Sequence, residues 1–569
     1  IYYSSFLSFL SHHFSPYEFL AGKERYSFHM SSRKLSGWVD EDDYYDDFDD
    51  DDGDEYDDDY YYPTEHRHSA TTTKTQKKTL TKTEHRHSQA TKTKTKTSLE
   101  KLSNLALNPE NEGSYVPSNA ERMAYENTHK LDLCLVILGH VDAGKSTLCG
   151  RLLEALHSLD ERTHQKNARE SKAAGKSSFA YAWAMDSLPE ERARGVTIDV
   201  ARARARLNVR DDRWIQINDA PGHRDFVPTA ISGASSADVA LLVIDGAIGA
   251  FEKGFGENGQ TKEHAIIAKA LGVSQVIVVV NKLDSCAYDE RRFEEVTSRI
   301  LDFLKSDEVG YDEKDVALVP VSALEGANIV SSEQFIKECA PWYAGKESLL
   351  DIIKSSRASS KGAPAPLRMP VLEIFSSGHN LGSCAFSGKI ESGSISVRDK
   401  VFITPANMLA TVKRIEKGLN EPVQFASVGE VVDVGLCGIE KDGLRNGSVI
   451  SHHQYPLRAA KVIEIDVKMS DSLKRPILPG AIVVVHAYST ETEAHVTELI
   501  SILDEKGKEV KRKPLFLPKS KYGKLVLSLE QMLCVEPYTL SQTLGSVILR
   551  SEGEFVGRGT ISKNVSYGC

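Results

Sequence analysis

The sequence lacks both a segment that could cross a membrane and the cysteine spacing of a structural metal site. Its N-terminal apolar run, Phe6–Leu10, is interrupted by serine and is far shorter than the roughly 20 residues of a transmembrane helix. None of the eight cysteines forms a Cys-x-x-Cys pair, and no histidine stands at zinc-ligand spacing from them. We therefore predict reduced thiols, a cytoplasmic location, and neither a disulfide framework nor a structural zinc site.

Basic residues are absent from Asp40–Asp59, which holds fifteen acidic residues. The whole chain has a formal net charge of −11, so the charge outside this run amounts to +4. A Lys/Thr/His-rich run follows at 63–97. Neither run can bury a core, and we predict a disordered extension over 30–130 that is first acidic and then basic. The basic stretch 74–96 is a candidate for contact with RNA phosphates.

An initiator methionine is also missing from the first position, because the chain opens at Ile1. A coherent change of composition begins directly after Met30. We expect Met30 to be the true initiator and residues 1–29 to be an artefact of the gene model. A peptide from residues 1–29 in the native protein would contradict this expectation.

From Leu131 onwards, apolar runs alternate with segments of helical periodicity. The runs that read as buried strands are Leu133–Leu138, Trp214–Ile217, Val239–Ile244, Val276–Val280 and Ala317–Val321, with helical patterns at Glu263–Leu271 and Arg291–Leu304. This alternation predicts an α/β domain over 131–354 with a doubly wound, mostly parallel sheet. A Ser/Lys/Pro/Ala linker at 355–366 follows. Short strands with glycine turns then predict two all-β barrel domains, at 367–453 and 454–569.

The most informative stretch joins the first strand to a predicted helix, Ser146–His157. Its candidate nucleotide-binding residues are Gly139, His140, Val141, Asp142, Ala143, Gly144, Lys145, Ser146 and Thr147. A strand that ends in a glycine loop and continues as a helix is the P-loop arrangement, in which backbone N–H groups surround a polyphosphate. Lys145 would reach the β- and γ-phosphates, and the Ser146 hydroxyl would be a ligand of Mg²⁺.

Two further motifs supply groups for the metal ion and the γ-phosphate. Asp219-Ala220-Pro221-Gly222 directly follows a predicted strand. Asp219 is placed to hold Mg²⁺ through a water molecule, and the Gly222 amide can meet the γ-phosphate. Thr197, within Arg192–Asp199, is the candidate second hydroxyl ligand of Mg²⁺, on a loop expected to be ordered only when the γ-phosphate is present.

Two motifs at later strand ends predict recognition of guanine. The first is Asn281-Lys282-Leu283-Asp284, whose Asp284 carboxylate can accept from the two donors on the N1 and N2 edge of guanine. Adenine lacks that donor pair, so selectivity for guanine should be large. The second is Ser322-Ala323-Leu324, which can offer a backbone N–H to guanine O6. Five motifs in this order predict a GTP/GDP-binding P-loop GTPase domain.

His223 directly follows the Asp-x-Pro-Gly motif and is the candidate for orienting the attacking water. Val141 would be part of an apolar gate that keeps His223 away from the nucleotide until a partner opens it. This arrangement predicts slow intrinsic hydrolysis that a partner accelerates.

These motifs resemble those of the translational GTPases of the EF-Tu type. The similarity covers Leu131 to about Lys563 and rests on the P-loop, on Asp219–Phe226 and on Gly259–His264. It implies a GTP-controlled factor that delivers an RNA or a tRNA-shaped protein to the ribosomal A site. The implied partners are ribosomal RNA and ribosomal proteins, with no DNA and no membrane. The implied state is a monomer or a heterodimer with the delivered partner.

Three eukaryotic branches of this family remain open. The aminoacyl-tRNA carrier begins almost at its P-loop, and the termination-factor GTPase commonly has a Gln/Asn/Gly/Pro-rich extension. The chain is more similar to the Hbs-type ribosome-rescue GTPase, the partner of Pelota. The similar features are Arg33-Lys34 before an Asp/Tyr run, and Leu499–Leu503 followed by the Lys-rich stretch Lys511–Leu517. This branch implies delivery of Pelota to stalled ribosomes for mRNA surveillance.

The chain also departs from the family pattern. Thr229-Ala230 stand where Asn-Met is usual, and Ser546 replaces an arginine near the C-terminal barrel. These departures concern the loop after His223 and the docking of the partner. A function of another class, a GTP-dependent binding scaffold with little hydrolysis, also remains open.

Overall fold

The structure is a computed structural model that describes most of the chain from Asp132 onwards. The described residues are 132–176, 179–185, 189–194, 197–208, 213–256, 259–358, 365–375, 381, 384–418, 421–439 and 443–567. The predictions for the extension at 30–130 and for Met30 lie outside this part. Within it, no helix combines the length and the apolar character needed to span a bilayer.

A six-stranded sheet forms the core of the N-terminal described domain. Its strands are β1 (Leu133–Gly139), β2 (Ala201–Asn208), β3 (Arg213–Asp219), β4 (Val239–Asp245), β5 (Gln275–Asn281) and β6 (Val316–Pro320). The spatial order is β2-β3-β1-β4-β5-β6, and every neighbouring pair is parallel except β2 with β3. The predicted doubly wound, mostly parallel sheet is therefore confirmed.

Helices cover this sheet and follow its strands. They are α1 (Lys145–Ala155), α2 (Glu161–Ala173), α3 (Pro189–Arg194), α4 (Val227–Ala234), α5 (Ala250–Phe255), α6 (Gln260–Ala270), α7 (Glu290–Lys305), α8 (Ser332–Glu338) and α9 (Leu349–Ser355). Short 3₁₀ helices span Ala182–Ala184, Arg224–Phe226, Leu283–Cys286, Glu313–Asp315 and Pro341–Tyr343. All seven residues of β1 are buried, as a central parallel strand covered on both faces requires.

The first barrel closes through six strands. These are β7 (Arg368–Phe375), β8 (Cys384–Lys389), β10 (Lys400–Thr404), β11 (Met408–Lys417), β14 (Val431–Cys437) and β15 (Val449–His452). The ring runs β10-β15-β7-β8-β14-β11 and returns to β10, because β10 also pairs with β11. Short strands β9 (Ser394–Ser396), β12 (Glu421–Val423) and β13 (Phe425–Ser427) lie at its margin.

The second barrel closes in the same way. Its strands are β16 (Ala459–Met469), β17 (Ile482–Ala487), β18 (Thr490–Leu503), β20 (Tyr522–Cys534), β21 (Ser546–Ser551) and β22 (Glu554–Tyr567), with β19 (Glu509–Arg512) added beside β18 and a short helix α10 (Gln542–Gly545) before β21. The ring runs β17-β21-β22-β16-β20-β18 and returns to β17. The prediction of two all-β barrels after the α/β domain is confirmed.

Strand β2 was not predicted from the sequence, and its pattern explains why. Alanine and arginine alternate over 201–206, so Leu207 is the one large apolar side chain on its apolar face. Ala205 is fully buried towards the sheet core. On the other face, the Arg204 guanidinium donates to both carboxylate oxygens of Asp433 in the first barrel at 2.9 Å. The barrel therefore gives this edge strand its second packing partner.

Candidate nucleotide-binding site

The predicted motifs meet at the carboxyl ends of β1, β3, β5 and β6, around a cavity of about 300 Å³. The lining residues are Val141, Asp142, Gly144, Lys145, Ser146, Thr147, Phe179, Ala182, Thr197, Gly222, Asn281, Lys282, Asp284, Ser322, Ala323 and Leu324. Only Phe179 and Ala182 were not among the predicted residues. They belong to a short segment around a 3₁₀ helix, which has no periodicity to reveal it.

Five predicted residues do not line this cavity: Gly139, His140, Ala143, Asp219 and His223. The first three belong to the P-loop but contribute to its framework. Ala143 is buried, and its carbonyl accepts from the Asn281 side-chain amide at 2.8 Å. The His140 carbonyl accepts from the Lys145 ammonium at 2.9 Å.

Close packing requires glycine at two positions of the P-loop. Gly139 has a φ of 145°, and a Cβ there would lie 2.2 Å from the Val243 carbonyl oxygen. Gly144 has a φ of 90°, and a Cβ there would lie 2.4 Å from the Asn281 amide nitrogen. Both conformations are ones that residues with a Cβ rarely adopt. The loop backbone can therefore approach its neighbours only with glycine at these points.

The Lys145 ammonium is held inside the loop. The residue is 7% exposed, and burial lowers its pKa to about 8, although the nearby Asp219 carboxylate acts in the opposite direction. An anion at the end of this side chain would stabilise its charged form. A Cβ at Gly222 would lie 2.2 Å from the Lys145 ammonium nitrogen, so the Asp-x-Pro-Gly loop packs directly on the P-loop.

Three oxygen-bearing side chains fit a magnesium ion. Ser146 Oγ and Thr197 Oγ1 lie 3.0 Å apart. An octahedral Mg²⁺ with ligands at about 2.1 Å places neighbouring oxygens about 3.0 Å apart. Asp219 is fully buried, and neither of its carboxylate oxygens has a hydrogen-bond partner among the described residues. Burial raises the pKa of this carboxyl to about 6, against the opposing effects of Ser146 and Lys145.

Hydrogen bonds hold together the two motifs that are predicted to recognise guanine. Asn281 Oδ1 accepts from the Ala323 amide at 2.9 Å, so the same side chain ties the P-loop to the Ser322–Leu324 loop. The Lys282 ammonium donates to Asp245 at 2.8 Å and to the Asp142 carbonyl. Oxygen Oδ1 of Asp284 is buried without a hydrogen-bond partner in the described part of the chain. An acceptor without a donor is what a guanine edge would complete.

Arg151 is a residue of this site that sequence reasoning did not find. It lies on α1 and donates to the carbonyls of Ala323 at 3.1 Å and Leu324 at 2.6 Å. It therefore fixes the Ser322–Leu324 loop, whose residues line the cavity. The sequence contains no signal for this role, because an arginine on a helix has the same local pattern whether or not a distant loop lies against it.

The structure does not bring His223 into the cavity. Its side chain is 46% exposed, and Nδ1 accepts from the Asp225 amide at 3.3 Å. Its ring centroid lies 5.8 Å from that of Phe226. Val141, in contrast, lines the cavity. The predicted gate residue therefore lines the cavity, whereas His223, which it would keep away from the nucleotide, does not.

His264 supports the P-loop from behind. It is fully buried on α6, and its Nδ1 accepts from the Gly139 amide at 3.1 Å. Burial lowers the pKa of the imidazole to about 3, which keeps it neutral and its Nδ1 available as an acceptor. In the sequence Gly259–His264 is visible only as a family motif, and nothing local to it indicates this role of His264.

The two departures from the family pattern are accommodated within the fold. Thr229 and Ala230 lie on α4, and Ala230 is fully buried in the core of the α/β domain. Ser546 is 3% exposed, and its hydroxyl donates to the Gln542 carbonyl at 2.7 Å. A small side chain at each position fits this packing.

Comparison with known proteins agrees with this geometry. Residues 132–358 match the family described as "Elongation factor Tu GTP binding domain", and residues 462–562 match "GTP-eEF1A C-terminal domain-like". Elongation factor 1-alpha of Desulfurococcus mucosus is 34% identical over 439 residues, which are 76% of this chain and 96% of that protein. The chain belongs to the EF-Tu-type family of translational GTPases.

Two further known proteins are similar to the chain to different extents. Protein HBS1 of Drosophila melanogaster is 37% identical over 452 residues, or 78% of this chain, and the chain spans 65% of the length of that protein. The solved structure of the Saccharomyces cerevisiae Ski7 GTPase-like domain, bound to GDP and inorganic phosphate, has a TM-score of 0.63 and 18% identity. That match covers 78% of this chain and 99% of the Ski7 chain, and it shows the shared fold.

Proposed function

We propose that this protein binds GTP and Mg²⁺ in the cavity described above and hydrolyses GTP on the ribosome. The observation that carries the proposal concerns two carboxylates, Asp284 in the cavity lining and Asp219 close to Lys145. Oxygens of both are buried and have no hydrogen-bond partner among the described residues. Between them, Lys145 and the P-loop amides are available to a polyphosphate. A guanine nucleotide with its metal ion would satisfy both carboxylates at once.

Each group has a distinct role in this proposal. The Lys145 ammonium contacts the β- and γ-phosphates, and Ser146, Thr197 and Asp219 hold Mg²⁺, Asp219 through water. When bound, Mg²⁺ neutralises the charge that develops on the phosphates. Asp284 accepts from the guanine N1 and N2 donors, while a backbone amide of the 322–324 loop donates to O6. Asn281 makes hydrogen bonds with both the P-loop and the 322–324 loop, and Lys282 donates to Asp245. These bonds hold the Asp284 motif in place beside the two loops.

His223 orients the attacking water only after a movement of its loop. Its side chain is exposed and does not line the cavity, whereas Val141, the proposed gate residue, does. Contact with the ribosome would move His223 towards the γ-phosphate, so hydrolysis by the free protein would be slow. Substitution of His223 by alanine should leave GTP binding unchanged and abolish ribosome-stimulated turnover. Unchanged stimulated turnover would instead favour a GTP-dependent binding scaffold.

The partner carried in the GTP state is proposed to be a Pelota-type protein, delivered to stalled cytoplasmic ribosomes. The likeness to protein HBS1 supports this choice over an aminoacyl-tRNA carrier. A termination-factor GTPase remains the second candidate.

An affinity pull-down from cytosol tests the choice of partner. The full chain is loaded with a non-hydrolysable GTP analogue, and the same chain loaded with GDP is the control. GTP-dependent recovery of Pelota is the expected result. Recovery of the stop-codon-reading release factor would indicate a termination-factor GTPase instead. Recovery of aminoacyl-tRNA alone would indicate an elongation factor.

A further inference from the structure

Helix α3 carries two adjacent glutamates in opposite environments. Glu190 is exposed to solvent, whereas Glu191 is 3% exposed. The Glu191 carboxylate oxygen Oε1 accepts from the Ile198 amide at 2.9 Å and from the Asp199 amide at 3.2 Å. These are the two residues that directly follow Thr197. A buried charge is therefore used to hold the backbone next to a candidate metal ligand.

The helix that bears Glu191 is itself anchored. The guanidinium of Arg192 donates to the Trp183 carbonyl at 3.2 Å and lies over the Trp183 ring at 5.2 Å. The Arg192 carbonyl accepts from the Lys176 ammonium at 3.0 Å. These contacts tie α3 to the segment after α2, so the Glu191 carboxylate is a fixed point and not a freely moving side chain.

Fixing the backbone after Thr197 also fixes its hydroxyl. Threonine is branched at Cβ and has few side-chain conformations, so the direction of its Oγ1 follows from its backbone. Thr197 is 7% exposed, and its Oγ1 lies 3.0 Å from Ser146 Oγ. That separation suits two ligands of one magnesium ion. Hydrogen bonds to a charged acceptor are about twice as strong as neutral ones, which suits an anchor of this kind.

We propose that Glu191 is a positioning residue that keeps the Thr197 hydroxyl beside the Ser146 hydroxyl. It thereby favours binding of GTP over binding of GDP. This inference rests on the proposed function. Thr197 serves the metal ion in the GTP state, so loss of its anchor weakens the GTP complex more than the GDP complex. Glu191 does not line the cavity, and we assign its effect to the hydrogen bonds that it accepts from the amides of Ile198 and Asp199.

The test compares three variants of the full chain. Glu191→Met removes the acceptor at similar volume, Glu191→Gln keeps one oxygen that can accept from both amides, and Glu190→Met is the matched control on the exposed neighbour. Affinities for GDP and for a non-hydrolysable GTP analogue are measured at saturating Mg²⁺. Deuterium uptake of the peptide that contains Ile198 and Asp199 is measured in the nucleotide-free protein.

We expect E191M to weaken binding of the GTP analogue about tenfold, as loss of one or two hydrogen bonds implies, and to change GDP binding less than about twofold. Its deuterium uptake at 198–199 should rise. E191Q and E190M should stay close to the parent chain in both measurements. If E191Q keeps the affinity that E191M loses, the loss is due to the missing hydrogen-bond acceptor and not to a change in side-chain packing.

Three results would overturn the proposal: equal loss of both nucleotides in E191M, unchanged deuterium uptake, or the same losses in E190M. If E191M does not fold, Glu191→Asp replaces it, because the shorter side chain withdraws the acceptor while keeping the charge. The same selective loss is then expected, and its absence refutes the role. If the parent chain binds no guanine nucleotide, the proposed function fails, whereas deuterium uptake still tests the anchor.

Discussion

A buried ion pair between the first barrel and the α/β domain offers the sharpest stability prediction. The Lys389 ammonium lies 2.8 Å from both carboxylate oxygens of Asp238, and the two residues are 2% and 1% exposed. The ammonium also donates to the Ser236 carbonyl at 2.9 Å, and the Cys134 amide donates to Asp238 at 3.0 Å. The attraction of Asp238 raises the pKa of Lys389 despite its burial.

Replacing Lys389 by methionine keeps most of the side-chain volume but removes the positive charge from the buried carboxylate. Removing one partner of such a pair destabilises a protein by about 3–5 kcal/mol, because the remaining charge loses its compensation. The double variant Lys389→Met/Asp238→Asn leaves no charge, and asparagine can still accept from the Cys134 amide. We expect the second substitution to restore at least about 2 kcal/mol of the loss, because a well-packed neutral replacement of a buried pair is often nearly neutral.

Urea unfolding followed by tryptophan fluorescence measures these changes. Trp214 reports on the same domain boundary, since a Cβ at Gly418 in the first barrel would lie 2.3 Å from its ring. Lys413→Met, on an exposed position of the same barrel, is the matched control and should change stability by less than about 0.5 kcal/mol. The reasoning is refuted if K389M loses less than about 1 kcal/mol, or if the second substitution destabilises it further.

Three further predictions concern glycine packing, base selectivity and pH. Gly418→Ala should shift the Trp214 fluorescence and lower the urea midpoint, because the position has a φ of 60° and no room for a Cβ; an unchanged spectrum would contradict the contact. Asp284→Asn should weaken GTP binding by at least about 100-fold and improve binding of xanthosine triphosphate, measured by competition with a fluorescent nucleotide, since the amide can donate where the carboxylate accepted. His264 has a pKa of about 3 in the folded chain and about 6.5 when unfolded, so its protonation in the unfolded chain lowers stability by about 1 kcal/mol per pH unit as the pH falls below 6.5. His264→Asn keeps an acceptor for the Gly139 amide and should flatten the stability profile between pH 6.5 and 5, whereas an unchanged slope would show that His264 does not titrate in this way.

The sequence by itself determined the α/β sheet and the gathering of its motifs at one edge. The P-loop, the Asp219 loop, the Asn281 motif and the Ser322 loop each directly follow an apolar run of strand length. Parallel strands bring their carboxyl ends to the same edge of a sheet, so local order along the chain was enough to predict a shared cavity. The two barrels followed from glycine turns between short strands, which are equally local signals.

Only the tertiary structure decided which distant groups support these motifs. Three such contacts are the hydrogen bonds between Glu191 and Ile198, between Arg151 and Ala323, and between His264 and Gly139. They cannot be predicted from the hydrophobic periodicity of the sequence, because each side chain is compatible with its own helix whether or not the distant partner is present. The same holds for the position of His223 outside the cavity lining. Strand β2 shows the reason most clearly, since its arginines gain a packing surface only where the barrel's carboxylates lie. Local sequence specifies the backbone of an element, whereas the choice of a long-range partner depends on where the rest of the chain folds.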